Sequence, residues 1–273
     1  MLDADPLFVG AVYLEDDSGT DSAGDTFYVA FEGGSSTTTL SRVVIDGNQN
    51  GNPNQLGEPD VYFDIDSSNQ NGQGNGSGGS SPFILSNKSV GITADQVRVS
   101  VVDGGTRIVL DIDDFRAGDI LVFTIDVDQY FSNKPDDQVV SGIEFAGSSL
   151  TTVFQDPHYN FAPQGGPTNG TFQYQFGFGS DDAQDTGLLS MLPTKENRDS
   201  SNGLQTMENR TAGALDQYQL TPKPVSISGN VWHDRDLDLA RDAGEEAIAG
   251  AQLRLQMKDA NGCLLYTSPS PRD

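Results

Sequence analysis

The sequence is poor in the residues that most often carry catalysis, redox chemistry and transition-metal binding. It has one cysteine, two histidines and one tryptophan among 273 residues. A single cysteine excludes an internal disulfide and a zinc site built from several thiolates. The chain also has no G-x-S-x-G motif, phosphate loop, dinucleotide fingerprint or zinc motif. The sequence therefore favours a binding or structural protein over an enzyme.

Basic residues and long apolar runs are also scarce. Fifteen Lys and Arg stand against 40 Asp and Glu, which gives a formal net charge of −25 and an isoelectric point near 4.1. This charge repels nucleic acid and anionic membrane surfaces, so we expect neither as a partner. No apolar run approaches the length of a membrane span. The acidic balance is typical of a secreted protein, or of one partly neutralised by bound cations.

The sequence does contain many short segments in which apolar residues alternate with polar ones. The clearest are 27–31, 61–65, 97–101, 121–127 and 172–178, and further strands are predicted at 7–14, 40–45, 83–85, 108–112 and 143–154. Asp103-Gly104-Gly105 predicts a hairpin turn, since these residues tolerate positive φ. No segment of helical length has a 3.6-residue period. About ten strands before residue 180 predict an all-β fold, a two-sheet β-sandwich.

Composition divides the chain into parts. We predict a β-sandwich domain over 1–180 and an acidic, polar linker over 181–224, which could include a last strand at 211–220. A second module begins at residue 225. There the alternating segments 225–231 and 251–257 flank an acidic loop, so that loop joins two strands rather than two helices.

The acidic loop, HDRDLDLARDAGEE at 233–246, has the ligand spacing of a calcium loop. If Asp234 is position 1, side-chain oxygens fall at positions 1, 3, 5, 9 and 12 and a backbone carbonyl at position 7. These ligands are Asp234, Asp236, Asp238, Asp242 and Glu245, with Ala240 supplying the carbonyl. Position 6, which is normally glycine, is Leu239 and predicts weaker binding or a different turn. The alternative is a solvated acidic loop without an ion.

A second loop, DGNQNGNPNQLGE at 46–58, has a related spacing. The candidate ligands are Asp46, Asn48, Asn50, Asn52 and Glu58, with Glu58 one place later than the usual closing acid. Only one early ligand is a carboxylate, so affinity should be lower than at the first loop. The alternative is an Asn/Gly-rich turn, because these residues favour turns for their own reasons. Neither loop has helical flanks, which argues against an EF-hand pair and against a sensor that opens on binding.

Three linked motifs around the acidic loop, SGNVWHD, DRDLDLARDAGEE and IAGAQLRL, occur in order within 225–262. This segment resembles the SdrD B-like repeat (Cna B-type) of bacterial surface proteins. The resemblance implies a calcium-stabilised, immunoglobulin-like or prealbumin-like β-sandwich that acts as a rigid spacer, here truncated. The preceding region resembles a β-sandwich found before such repeats in large exported bacterial proteins, which implies an extracellular or cell-surface location.

The last eleven residues, CLLYTSPSPRD at 263–273, look like the translation of a sequencing-library adapter. The only cysteine, Cys263, lies in this segment. We therefore expect an artefactual tail here, a native protein that continues beyond residue 262, and a native part without cysteine. The first residues have neither a basic head nor an apolar core, so we expect either a cytosolic protein or an internal piece of an exported chain.

Together these patterns predict a non-enzymatic, calcium-binding structural or adhesive segment of a secreted or cell-surface protein, with a glycan or another surface protein as partner. The alternative is a carbohydrate-binding module of an exported hydrolase. It would use ring stacking, for which the candidates are Tyr130, Phe131, Tyr159, Tyr174 and Phe176, although alternating aromatics are more often core. Asp126 and Asp128 lie on one strand face, where paired carboxylates could serve a glycosidase or a third cation site, although their pattern more simply indicates a surface-facing strand.

Overall fold

The computed structural model describes residues 5–15, 24–66, 80–130, 145–163, 171–178, 211–224, 229–252, 254–258 and 264–269. These residues form β-strands joined by turns, with one 3-10 turn at Ala94–Gln96 and no α-helix among them. The strands are β1 (Asp5–Leu14), β2 (Asp25–Gly34), β3 (Thr39–Asp46), β4 (Val61–Asp64), β5 (Ile84–Leu85), β6 (Val97–Val101), β7 (Arg107–Phe115), β8 (Ile120–Gln129), β9 (Ser149–Gln155), β10 (Tyr159–Pro163), β11 (Thr171–Gln175), β12 (Gly177–Phe178), β13 (Thr211–Pro222), β14 (Arg254–Lys258) and β15 (Leu264–Pro269).

The first twelve strands and β13 form two antiparallel sheets. The first sheet has the order β10-β13-β1-β2-β8-β4, with β12 also paired to β13 and β5 to β8. The second has the order β11-β9-β3-β7-β6. Their inward residues form one hydrophobic cluster that contains side chains from both sheets. The predicted all-β fold is confirmed, and its two sheets are consistent with a β-sandwich.

Aromatic side chains join the two sheets at the core. Phe31 of the first sheet meets Phe115 and Phe154 of the second edge to face, with ring centroids 5.8 and 5.2 Å apart. Phe27 stacks on Phe123 of the neighbouring strand at 5.0 Å. All four of Phe27, Phe31, Phe115 and Phe123 are fully buried. Each such burial contributes about 1.5–3 kcal/mol, so this aromatic layer is a main source of stability.

The chain divides into two compact units, Met1–Lys223 and Pro224–Asp273. β13 lies between β1 and β10 in the first sheet, so the strand expected at 211–220 belongs to the first unit. Residues 181–210 of the predicted linker lie outside the described residues. In the second unit, β14 pairs with β15, which lies within the segment 263–273. The expectation that two strands flank the acidic loop is wrong for the described residues, because 229–231 form no strand and the strand predicted at 251–257 begins only at Arg254. Among described residues, no helix is long and apolar enough to cross a membrane.

Candidate calcium-binding loops

The acidic loop of the second unit is closed at its base by backbone contacts. Trp232 and Ala247 form an isolated antiparallel bridge. Next to it, His233 N donates to Glu246 O at 3.0 Å and Ile248 N donates to Val231 O at 2.9 Å. The two ends of the loop are therefore held together directly before Asp234 and directly after Glu245.

The five predicted carboxylates come together in two overlapping groups. Oxygens of Asp234, Asp236 and Glu245 lie within 4.8 Å of one another, and so do oxygens of Asp236, Asp238 and Asp242. Calcium binds oxygens at about 2.3–2.6 Å, so two ligands on opposite sides of one ion lie about 5 Å apart. Either group therefore fits the span of a single Ca²⁺, and Asp236 belongs to both.

Glu245, the closing acid at position 12, connects the two halves of the loop. Its Oε1 accepts a hydrogen bond from Arg235 N at 2.8 Å, and its Oε2 accepts one from Asp242 N at 3.1 Å. Glu245 is 8% exposed, whereas Asp236, Asp238 and Asp242 are exposed. The carboxylate with the longest reach is thus fixed at the buried side of the loop.

Two other carboxylates accept hydrogen bonds from backbone N–H groups of the loop. Asp234 accepts hydrogen bonds from Leu237 N at 2.7 Å and Leu239 N at 3.0 Å. Asp238 accepts one from Ala240 N at 2.8 Å. These contacts satisfy backbone donors, but they leave carboxylate lone pairs for a cation, since each ionised carboxylate offers about four.

Two leucines in this loop have a left-handed backbone. Leu237 has φ of 65° and Leu239 has φ of 67°. Their side chains are 82% and 86% exposed, so packing does not compensate for the strain. A branched residue in this region costs about 1–2 kcal/mol. At position 6, Leu239 therefore adopts the left-handed conformation for which calcium loops normally use glycine, and this conformation is strained for leucine.

The second candidate loop is held together by its own amide groups. Asn48 Nδ2 donates to Asn52 O at 3.1 Å, and Asn50 Nδ2 donates to Gln55 O at 3.0 Å and Gly57 O at 3.3 Å. Asp46 Oδ1 accepts from Asn48 N and from Thr106 Oγ1. Carbonyl oxygens that could bind a cation thus already accept hydrogen bonds.

The main acid of this second loop is Asp60, which the sequence spacing did not indicate. Asp60 is fully buried and accepts hydrogen bonds from Gln49 N at 2.7 Å, Asn50 N at 2.8 Å and Gly57 N at 2.9 Å. Glu58 is exposed, and neither Asp46 nor Glu58 belongs to a carboxylate group found among the described residues. Calcium binding at Asp46, Asn48, Asn50, Asn52 and Glu58 stays a prediction.

A third acidic group lies on the outer side of the first sheet. Asp64 of β4 is paired with Asp126 of β8, and oxygens of Asp64, Asp126 and Asp128 lie within 4.8 Å of one another. The expectation that Asp126 and Asp128 face the surface is wrong, because these three residues are only 4–7% exposed. Burial, with Asp128, Asp64 and Asp126 nearby, raises the pKa of Tyr62 far above its ordinary value.

This buried group does not support the glycosidase reading, because a glycosidase needs two carboxylates open to a sugar ring. Two of the five proposed stacking residues cannot form a sugar platform, whereas Tyr130 is half-buried and the Tyr174 side chain lies outside the described part of the chain. Tyr159 and Phe176 are 4% and 2% exposed and belong to the interior. Phe131 lies outside the described residues.

Comparison with family models, with curated proteins and with solved structures gave no match to this chain. Two resemblances therefore stay predictions: that of 225–262 to an SdrD B-like repeat and that of 263–273 to a translated adapter.

Proposed function

We propose that this chain is a non-enzymatic structural segment of a secreted or cell-surface bacterial protein, in which Ca²⁺ makes the 234–245 loop rigid. The observation that carries the proposal is the convergence of five carboxylates into two groups that share Asp236. They sit on a loop whose ends are joined by the bridge between Trp232 and Ala247. Such convergence follows the ligand spacing of known calcium loops.

The role of the ion is mechanical. Five carboxylates within one loop repel one another when no cation balances them, and this repulsion favours an open loop. A bound divalent ion removes the repulsion and stabilises the folded loop by mass action. The gain is about 2.7 kcal/mol when free Ca²⁺ is a hundred times the dissociation constant. The loop would then join the chain segments on either side of it as a stiff connection, as a spacer requires.

Export and adhesion are supported by different observations. The net charge of −25 suits an extracellular protein that meets millimolar Ca²⁺. The resemblance of 225–262 to a surface-protein repeat agrees with this setting. In this proposal the β-sandwich of the first unit is the adhesive part, with a glycan or another surface protein as partner, and the second unit is the spacer.

The test is thermal unfolding of the full chain in Ca²⁺ and in chelator. Trp232 is the only tryptophan and lies at the base of the loop, so its fluorescence reports on the second unit. We expect the transition seen by Trp232 to occur at a higher temperature in Ca²⁺, and Asp236→Asn to abolish the increase.

The matched control is Glu246→Gln, which removes one negative charge from the same loop region. Glu246 belongs to neither carboxylate group, and its side chain is 81% exposed. This variant should keep the full response to Ca²⁺. Identical unfolding of the unaltered chain in Ca²⁺ and in chelator would contradict the proposal.

A further inference from the structure

A polar groove of about 510 Å³ runs along the outer face of the second sheet. Its lining comes from four neighbouring strands: Thr39 and Arg42 from β3, Arg98 from β6, Asp111 and Asp113 from β7, and Gln155 from β9. This volume lies within the range of about 300–1,000 Å³ that is typical of small-molecule sites. The groove is formed by hydrogen-bonded strands and not by loops, so the sheet fixes the spacing of its backbone.

A backbone irregularity lies beside the groove. Leu40 of β3 is opposite Phe115 of β7, and Arg42 is opposite Asp111. Between these pairs β3 advances two residues and β7 advances four, so β7 carries two extra residues. Asp114, in this bulge, has φ of 61°. Bulges of this kind redirect side chains and are common next to binding sites.

Ion pairs hold the charged side chains of the groove in place. Arg42 Nε donates to Asp111 Oδ1 at 2.6 Å. Arg98 binds Asp113 through both terminal nitrogens, at 2.6 and 3.0 Å. Hydrogen bonding to Arg42 lowers the pKa of Asp111, and hydrogen bonding to Arg98 lowers the pKa of Asp113. Both carboxylates are therefore ionised at neutral pH, and each is fixed against a guanidinium.

Several hydrogen-bonding groups in the groove are not used by the protein. Within the described part of the chain, Arg42 Nη1 and Nη2, Asp111 Oδ2, the Gln155 amide and the Thr39 hydroxyl have no hydrogen-bond partner. Arg42 is directly opposite Asp111, and Thr39 is directly opposite Gln155. The groove therefore presents donors next to acceptors on adjacent, rigid strands.

The charge balance of the groove selects among ligands. Arg42 and Arg98 balance Asp111 and Asp113, and Asp114 is paired with Arg116 at 2.5 Å. An anionic ligand is repelled by a chain of net charge −25, and a cationic ligand meets two guanidinium groups. A hydroxyl group suits this lining because it donates to Asp111 and accepts from Arg42.

We propose that this groove binds a neutral oligosaccharide, an inference that rests on the proposed adhesive role of the first unit with a glycan as partner. Its hydroxyl groups would pair with Arg42, Asp111, Thr39 and Gln155 along β3, β7 and β9. None of the described residues that line the groove is aromatic, so the recognition argued here uses hydrogen bonds. The site is on the first unit and does not involve the calcium loop of the second unit.

The experiment measures binding to the full chain in saturating Ca²⁺ by titration calorimetry. The neutral probes are the hexasaccharides of cellulose, xylan, laminarin, chitin and amylose, and the acidic probe is hexagalacturonate. We expect at least one neutral probe to bind more tightly than the acidic one. Arg42→Gln should weaken that binding by about tenfold or more, because it removes a charged donor.

The matched control is Arg107→Gln, which makes the same charge change on β7. Arg107 is exposed at the far end of that strand, opposite Asp46 and away from the groove. This variant should bind as the unaltered chain does. Both variants should unfold at the same temperature, since exposed ion pairs contribute about 0–1 kcal/mol.

Three results would overturn the assignment: no binding of any neutral probe, preference for hexagalacturonate, or equal binding by the Arg42→Gln and Arg107→Gln variants. Each of these leaves the calcium-dependent unfolding of the second unit unchanged. Failure of the groove and failure of the calcium loop are therefore separate outcomes.

Discussion

Replacing Leu239 with glycine should increase the calcium affinity of the 234–245 loop. Leu239 has φ of 67° and is 86% exposed, so the leucine side chain contributes strain and almost no packing. Removing that strain gains about 1–2 kcal/mol. Glycine gives back about 0.5–1 kcal/mol, because it loses more chain entropy on ordering. The net gain of about 0.5–1 kcal/mol corresponds to roughly two- to fivefold tighter binding.

Terbium luminescence measures this effect at one site. Tb³⁺ replaces Ca²⁺ in oxygen-rich sites and is sensitised by a nearby indole. Trp232, the only tryptophan, lies two residues before Asp234. Titration of bound Tb³⁺ with Ca²⁺ then gives the relative affinity of this loop alone.

The matched control is Ala240→Gly, at the neighbouring position. Ala240 is not among the described residues with positive φ, so glycine there adds chain entropy without removing strain. We expect this variant to bind Ca²⁺ more weakly than the unaltered chain. If Leu239→Gly binds no more tightly than Ala240→Gly, strain at position 6 does not limit affinity and the reasoning fails.

Three further predictions concern the first unit. Burial alone would raise the pKa of Asp156, but hydrogen bonds from Ser35, the His158 backbone, Thr38 and Thr37 together lower it. The ionised Asp156 therefore stabilises the folded chain above about pH 4, and this stabilisation is lost as the pH falls further. Asp156→Asn should cost about 1–3 kcal/mol at pH 7 in urea unfolding, with the difference from the unaltered chain narrowing towards pH 2; a constant difference would contradict this. Asp60→Ala removes a buried acceptor of three backbone hydrogen bonds and should cost about 2–3 kcal/mol in the same assay, while a cost near zero would mean that water replaces the carboxylate. Gly33→Ala would place a Cβ atom 1.8 Å from Pro6 O, at a residue with φ of 77°. It should lower the free energy of unfolding by at least about 2 kcal/mol. An unchanged free energy of unfolding would mean that β1 and β2 can separate at their ends without loss of stability.

Strands such as β2 could be predicted because the residues that face the core are apolar at every second position. Phe27, Val29 and Phe31 alternate in the sequence, and all three are fully buried in β2. A two-residue period can be seen within one short segment of the sequence, so this pattern predicts a strand with a buried face without knowledge of its partner strands. The hairpin at Asp103-Gly104-Gly105 was predictable for a similar reason, and Gly104 has φ of 69°.

The pairing of distant strands could not be predicted from local patterns. β13 pairs with β1 although Tyr218 and Leu7 are far apart in the sequence, and nothing in 211–222 specifies that partner. The burial of the acids of the first sheet could not be predicted for the same reason. Asp126 becomes buried next to Asp64 because β4 pairs with β8, and alternation alone places an acid on the outward face without indicating whether that face is covered.

The two candidate loops differ in what a cation would have to replace. In the 46–58 loop, Asn48 and Asn50 amide nitrogens already donate to the carbonyl oxygens of Asn52, Gln55 and Gly57. A cation there must break those hydrogen bonds before it gains its own ligands, and an amide oxygen offers less charge than a carboxylate. In the 234–245 loop the carboxylates accept only from backbone N–H groups, so a cation adds to the existing contacts and removes mutual repulsion. A related ligand spacing therefore gives a turn held by its own hydrogen bonds where the side chains are amides. Where they are acids, our proposal is that the turn depends on a bound cation.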